Sequence, residues 1–242
     1  MWSHWSLART PRLIATWLVV LLAIVGWLVV STSSRSLGAA VPPFPGPELM
    51  RAWHAAERWE EVPAGRLQGT IACCRPRPKQ ELVVFLVRDG GELVRSESQR
   101  HAIGQKGARF EPSFLTIVSG DTVTFVNDEE KEIDHNVYGL GAERFDLGIF
   151  PRGSREQHVF LLPGEIALHC SVHKMMDAKL FVAPSAAYAV VDGDHDQFAI
   201  ERVPAGTYRL RTYQKFKRFR DADQAVTVRA GELASVTIEL QR

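Results

Sequence analysis

The sequence predicts an all-β protein made of two consecutive β-sandwiches that follow an apolar N-terminal helix. Many short apolar runs with alternating polar positions begin near Gly65, and Gly, Pro and Asp turn signals separate them. One long unbroken apolar stretch occurs near the N-terminus. The net charge of +1 and the 45% hydrophobic content exclude a disordered composition and a nucleic-acid-binding charge excess.

The N-terminal apolar stretch covers residues 13–30 and follows Arg9 and Arg12. Its length suits one membrane-spanning helix, and the preceding arginines favour a cytoplasmic N-terminus. We therefore expect a single-pass protein of the inner membrane whose remaining chain faces the periplasm or another exported side. A cleaved signal peptide is the alternative, because residues 38–40 resemble a small-residue cleavage site.

Composition divides the chain into four segments. Residues 1–31 are the anchor or signal segment, and 32–64 hold a proline-rich linker and a short predicted helix. Residues 65–184 are the first predicted sandwich. Pro184 marks its end, and 185–242 form the smaller second sandwich.

Both predicted sandwiches consist of short strands. In the first, the runs at 82–87, 114–127, 158–162, 165–170 and 179–183 are apolar or alternate, which is typical of strands that bury one or both faces. The second contains the runs 188–191, 196–203, 206–213, 224–230 and 233–240.

A basic stretch occupies residues 209–220 of the second sandwich. Its Lys and Arg side chains fit the solvent side of strands, which is the simplest interpretation. The same charges would also suit an acidic redox partner or anionic lipid headgroups.

Four residues form a candidate metal site. Cys170, His173 and Met176 lie at Cys-x2-His-x2-Met spacing in CSVHKMM, and His135 lies upstream in DHNVYG. One thiolate, two imidazoles and one thioether are the ligands expected for a trigonal copper with a weak axial ligand. The spacing favours Met176 as that axial ligand, although Met175 is its immediate neighbour.

Strand alternation supports this convergence. Ile166, Leu168 and Cys170 share one face of the strand at 165–170, so Cys170 points inward at its end. Ligands three residues apart in the following loop span at most about 10 Å and can reach one centre. His169 faces away from Cys170 by the same alternation.

These motifs resemble the cupredoxin family. The Cys-x2-His-x2-Met loop is similar to that of amicyanin and pseudoazurin-like proteins, and the series FEPSFLTIVSGDTVTFVND, HNVYG, FDLGIFPRG and PGEIALHCSVHKMM resembles exported plastocyanin-like or methylamine-utilisation-like proteins. The resemblance covers about residues 65–242 and implies a Greek-key sandwich with one type 1 copper. It also implies that Asn136 links the two ligand loops through hydrogen bonds. The second sandwich resembles carboxypeptidase-regulatory or transthyretin-like modules, which implies packing or partner binding.

The sequence thus predicts a one-electron carrier with an unidentified redox partner protein, and not an enzyme. The rival class is a copper protein for storage, sensing or delivery, and a third is a metal-free structural module. The sequence leaves four interpretations of the adjacent Cys73 and Cys74, which are a vicinal disulfide, a bridge to another subunit, an accessory Cu(I) site and two inert thiols.

Overall fold

The computed structural model describes residues 62–73, 80–88 and 97–241, and over these residues the protein contains strands and no helix. The all-β prediction is therefore confirmed for this part of the chain. The predicted membrane span and the short predicted helix lie outside it. No helix among the described residues is long and apolar enough to cross a bilayer.

Sixteen strands are present in the described residues. They are β1 (Ala64–Ala72), β2 (Leu82–Arg88), β3 (Arg100–Gln105), β4 (Phe110–Glu111), β5 (Phe114–Val118), β6 (Thr122–Asn127), β7 (His135–Gly141), β8 (Phe145–Phe150), β9 (Arg155–Val159), β10 (Gly164–His169), β11 (Asp177–Ala183), β12 (Tyr188–Val191), β13 (Gln197–Pro204), β14 (Gly206–Gln214), β15 (Asp223–Val228) and β16 (Leu233–Glu239).

The first sandwich consists of a five-stranded sheet, β5-β11-β10-β7-β8, and a four-stranded sheet, β4-β3-β6-β9. Alternate side chains of both sheets enclose one apolar core that includes Ile103, Phe125, Ile166, Leu168 and Leu180. β10 and β11 form an antiparallel hairpin in which His169 pairs with Asp177. This hairpin positions the loop that contains three of the predicted ligands.

The second sandwich consists of the sheets β13-β1-β16 and β12-β2-β14-β15. β1 pairs with β13 and β16, and β2 pairs with β12 and β14. β1 and β2 thus complete the sheets of the second sandwich, although nearly all of their residues fall in the segment 65–184 that the sequence analysis gives to the first. The reason is that strand partners are chosen by long-range packing, which the local apolar pattern does not record.

The apolar run of β2 is explained by burial on both faces. Val84 and Leu86 point into the core of the second sandwich, whereas Val83 and Phe85 join a separate cluster with Phe181 of β11. This cluster lies between the two sandwiches. A strand covered on both sides reads as continuous apolar sequence, which is what residues 82–87 show.

Aromatic rings dominate the contact between the sandwiches. Tyr213 of β14 stacks on Phe181 with ring centroids 4.2 Å apart and an interplanar angle of 7°. The ring centroid of Phe85 lies 5.2 Å from that of Phe181, and the ring centroid of Phe114 lies 6.2 Å from that of Tyr213. The second sandwich therefore covers the outer face of the β5-β11 side of the first.

Candidate metal centre

Three of the predicted ligands converge on one point. Cys170 Sγ lies 3.9 Å from His135 Nδ1 and 3.8 Å from His173 Nδ1. The three ligand atoms all lie within 4.8 Å of one another. His135 begins β7 and Cys170 directly follows β10, so the antiparallel pairing of these strands brings residues that are 35 positions apart in sequence to the same end of the sheet.

These separations fit a shared metal ion. With metal–sulfur and metal–nitrogen bonds of about 2.3 and 2.05 Å at 120°, a sulfur and a nitrogen ligand lie about 3.8 Å apart. The two observed Sγ–Nδ1 distances agree with this value. The donor set of one thiolate and two imidazoles belongs to trigonal copper sites. The residues present therefore fit copper.

The ligand loop closes tightly between β10 and β11. The Cys170 N–H donates to the Met176 carbonyl at 3.2 Å, and the Met176 N–H donates to the His173 carbonyl at 3.0 Å. Met176 is 1% exposed and belongs to the same core as Cys170, whereas Met175 is 88% exposed. Burial thus separates the two adjacent methionines and agrees with the spacing that favoured Met176.

Burial also differs among the ligands. His135 is fully buried and Cys170 nearly so, while His173 is partly exposed. One imidazole edge therefore connects the ligand cluster to the surface. Val172 and Met175 lie exposed beside it in the same loop.

His135 is oriented by a buried carboxylate. Its Nε2 lies 2.9 Å from Glu129 Oε1, which also accepts the Ala108 N–H at 3.2 Å. The hydrogen bond with His135 is the main cause that holds the pKa of Glu129 below its usual value, against the opposing effect of burial. An Nε2–H that donates to Glu129 leaves Nδ1 free to bind a metal.

Sequence reasoning missed Glu129. It belongs to the charged run 129–134, whose composition is typical of a solvated loop. Only 9% of Glu129 is exposed. No local signal separates Glu129 from Glu130, which is solvent-exposed. Tertiary contacts with Ala108 and His135 distinguish it.

Asn136 links the two ligand segments, as the resemblance implied. Its backbone N–H donates to Cys170 Sγ at 3.4 Å, and its Oδ1 accepts the Ser171 N–H at 3.2 Å. Its Nδ2 donates to Asp146 Oδ1 at 2.7 Å and to the Gly148 carbonyl at 2.9 Å. The His135 strand is thereby tied to the start of the Cys170 loop.

Comparisons with proteins of known structure find similarity to a cupredoxin, to amicyanin and to a copper-containing nitrite reductase. No family model and no curated protein matches the chain. A purple cupredoxin from Nitrosopumilus maritimus is 25% identical, covers 36% of this chain and 100% of its own, and has a TM-score of 0.31. A reduced amicyanin variant is 23% identical over 34% of this chain and 81% of its own, at a TM-score of 0.31. A copper-containing nitrite reductase from Thermus scotoductus is 23% identical over 46% of this chain and 28% of its own, at a TM-score of 0.33.

Proposed function

We propose that this chain is a cupredoxin-type one-electron carrier with a single copper ion. His135, Cys170 and His173 are the strong ligands, and Met176 is the weak axial ligand. The convergence of one thiol sulfur and two imidazole nitrogens at a mutual spacing suited to one ion carries the proposal. When bound, copper supplies a one-electron couple between Cu(I) and Cu(II).

The protein's own contribution is a largely buried and hydrogen-bonded ligand set. Glu129 holds the ring of His135, and the Asn136 N–H donates to the Cys170 sulfur. Hydrogen bonds of this kind orient the metal-binding side chains and change their basicity. The partly exposed His173 provides the edge at which a redox partner would approach.

Three further statements belong to this proposal. We propose that residues 13–30 anchor the chain in the inner membrane, which rests on their length and apolar composition. We propose that the sandwiches lie on the exported side, which rests on Arg9 and Arg12. The similarity of the second sandwich to transthyretin-like modules also stays a proposal, and it adds no catalytic group.

Optical spectroscopy and voltammetry of the copper-loaded full chain test the function. An electron carrier shows an intense thiolate-to-copper band in the visible and a reversible couple, and Cys170→Ser abolishes the band. The double variant Cys73→Ser/Cys74→Ser retains the band, because those thiols are not ligands in this proposal. A colourless protein that binds Cu(I) alone would instead support storage or delivery, and absence of stoichiometric copper would reject both.

A further inference from the structure

The loop between β14 and β15 combines positive charge with an exposed aromatic ring. Residues 215–220, which we call the basic loop, read KFKRFR and contain four cations and no carboxylate. Phe216 is 53% exposed within it. The chain as a whole has a net charge of only +1, so this is a local concentration of charge.

The basic loop is held in place by specific contacts. The Gln80 side chain accepts the Phe216 N–H and donates to the Phe216 carbonyl, both at 3.2 Å. Gln214 donates to the carbonyl of Phe219, which is buried, and the Arg220 N–H donates to the Gln241 carbonyl at 2.7 Å. The loop therefore presents Phe216 and its flanking charges in one conformation, which lowers the entropy cost of binding a partner.

Hydrogen bonds attach the start of the basic loop to the first sandwich at Ser113, the residue before β5. Lys215 Nζ donates to Ser113 Oγ at 2.9 Å, and the Ser113 carbonyl accepts the Lys179 N–H at 3.1 Å. Lys179 is two residues along β11 from Asp177, which pairs with His169 next to Cys170. Two strand residues span about 7 Å. The start of the loop thus lies a few strand positions from the ligand loop. Further along the loop, Lys217 Nζ lies 4.6 Å from the centroid of the Tyr213 ring, towards the other end of β10.

Charges of both signs lie near the metal centre, and they include the exposed carboxylates of Asp134 and Asp177. In the acidic run before His135, Glu130 pairs with Lys106 and Glu132 pairs with Arg152, each at 2.7 Å. In the basic loop, Lys217 pairs with the Asp221 carboxylate at 3.2 Å. Arg218 and Arg220 form no ion pair with any described residue. In the ligand loop, Lys174 is an exposed cation directly after His173.

We propose that the basic loop receives an acidic redox partner and guides it to the exposed edge of His173. The inference rests on the proposed electron-carrier function and adds the charge of the partner and the surface it meets. The observations favour a protein partner over a lipid surface because the loop is anchored on the copper-bearing sandwich, a few strand positions from the ligand loop. Cations beside an electron-transfer edge raise the encounter rate of anionic reactants and lower that of cationic ones.

Small charged oxidants test the proposal on the detergent-solubilised, copper-loaded full chain. Hexacyanoferrate(III) takes one electron from Cu(I) and yields hexacyanoferrate(II) and Cu(II), and tris(phenanthroline)cobalt(III) is the cationic counterpart. At low ionic strength, Arg218→Glu should slow the anionic oxidant roughly two- to fivefold and accelerate the cationic one, and salt should remove both effects.

Arg229→Glu is the matched control, because it changes the charge by the same amount. Arg229 follows β15, whose last residue, Val228, pairs with Gly206 at the opposite end of β14 from the basic loop. An unchanged rate in Arg218→Glu, or equal changes in both variants, overturns the proposal. The visible spectrum of each variant verifies that the copper site is intact. If the wild-type chain itself shows no reversible copper oxidation, the electron-carrier function is rejected, and this inference is rejected with it.

Nanodiscs that contain the full chain distinguish binding of the basic loop to a lipid surface from binding to a protein partner. Amine labelling of Lys217 is compared between phosphatidylcholine discs and discs that also contain phosphatidylglycerol. Equal labelling in both disc types supports a protein partner. Slower labelling with phosphatidylglycerol shows that anionic lipid covers the loop and overturns the proposal.

Discussion

The two ends of strand β10 place polar side chains in opposite situations. At its start, Glu165 accepts hydrogen bonds from Lys179 Nζ and from the Tyr213 hydroxyl, each at 2.7 Å. Just after its end, Cys170 Sγ faces two imidazole nitrogens at 3.8 and 3.9 Å. The first set of groups satisfies itself with short hydrogen bonds, whereas the second is spaced for an atom between its members.

This difference distinguishes polar side chains that hydrogen-bond to one another from polar side chains that are spaced to bind an additional atom. A closed network of donors and acceptors stabilises the contact between the two sandwiches and asks for no ligand. A thiol and two imidazoles at separations too long for strong hydrogen bonds are spaced to bind a third species. The three variants below test whether the two ends of β10 are independent in this way.

The largest expected effect on stability comes from Phe181→Ala at the contact between the sandwiches. Phe181 is 5% exposed and stacks on Tyr213. Loss of its ring should reduce the free energy of unfolding by about 3–5 kcal/mol, as measured by chemical denaturation. The visible copper band should keep its position, because the ring lies at the other end of β10.

Phe216→Ala is the control for this variant, since Phe216 is 53% exposed and its loss should change the stability by at most about 0.5 kcal/mol. A shifted copper band in Phe181→Ala would show that the contact between the sandwiches and the metal centre are coupled.

An intermediate effect is expected from Met176→Ala. Truncation of this buried side chain should cost about 2–5 kcal/mol in the copper-free protein and should shift the reduction potential of the loaded protein. Met175→Ala is the adjacent control, and at 88% exposure it should change the stability by no more than about 0.5 kcal/mol. If voltammetry shows the shift in Met175→Ala instead, the axial assignment is wrong.

The smallest effect is expected from Tyr213→Phe, which removes the hydroxyl that bonds Glu165. The loss should be about 0.5–1.5 kcal/mol near neutral pH. Burial, and next the hydrogen bond to Glu165, raises the pKa of Tyr213. The unfolded chain ionises this tyrosine near pH 10, so its contribution to stability is complete below that pH and declines as the pH rises further.

Denaturation between pH 8 and 11 measures this dependence, and Tyr213→Phe should flatten the alkaline decline. Tyr138→Phe serves as the control variant, because Tyr138 lies near the metal end against His169. An equal flattening in Tyr138→Phe would contradict the assignment to Tyr213.

The sequence by itself determined the strand content and indicated the candidate metal ligands. Alternating apolar positions predicted strands because residues on one face of a strand recur every two positions. Cys170, His173 and Met176 were recognisable as candidate ligands because ligands within one short loop keep a characteristic spacing. A resemblance supplied the link between Asn136 and the Cys170 loop, which the structure contains.

Only the tertiary structure decided which strands pair and which polar groups enter the interior. The assignment of β1 and β2 to the second sandwich depends on partners more than 100 residues away, and local periodicity carries no information about them. The same holds for Glu129, whose contact with His135 separates it from the exposed carboxylates beside it. A strand's pattern is set by its own residues, whereas burial and pairing are set by what the rest of the fold places against it.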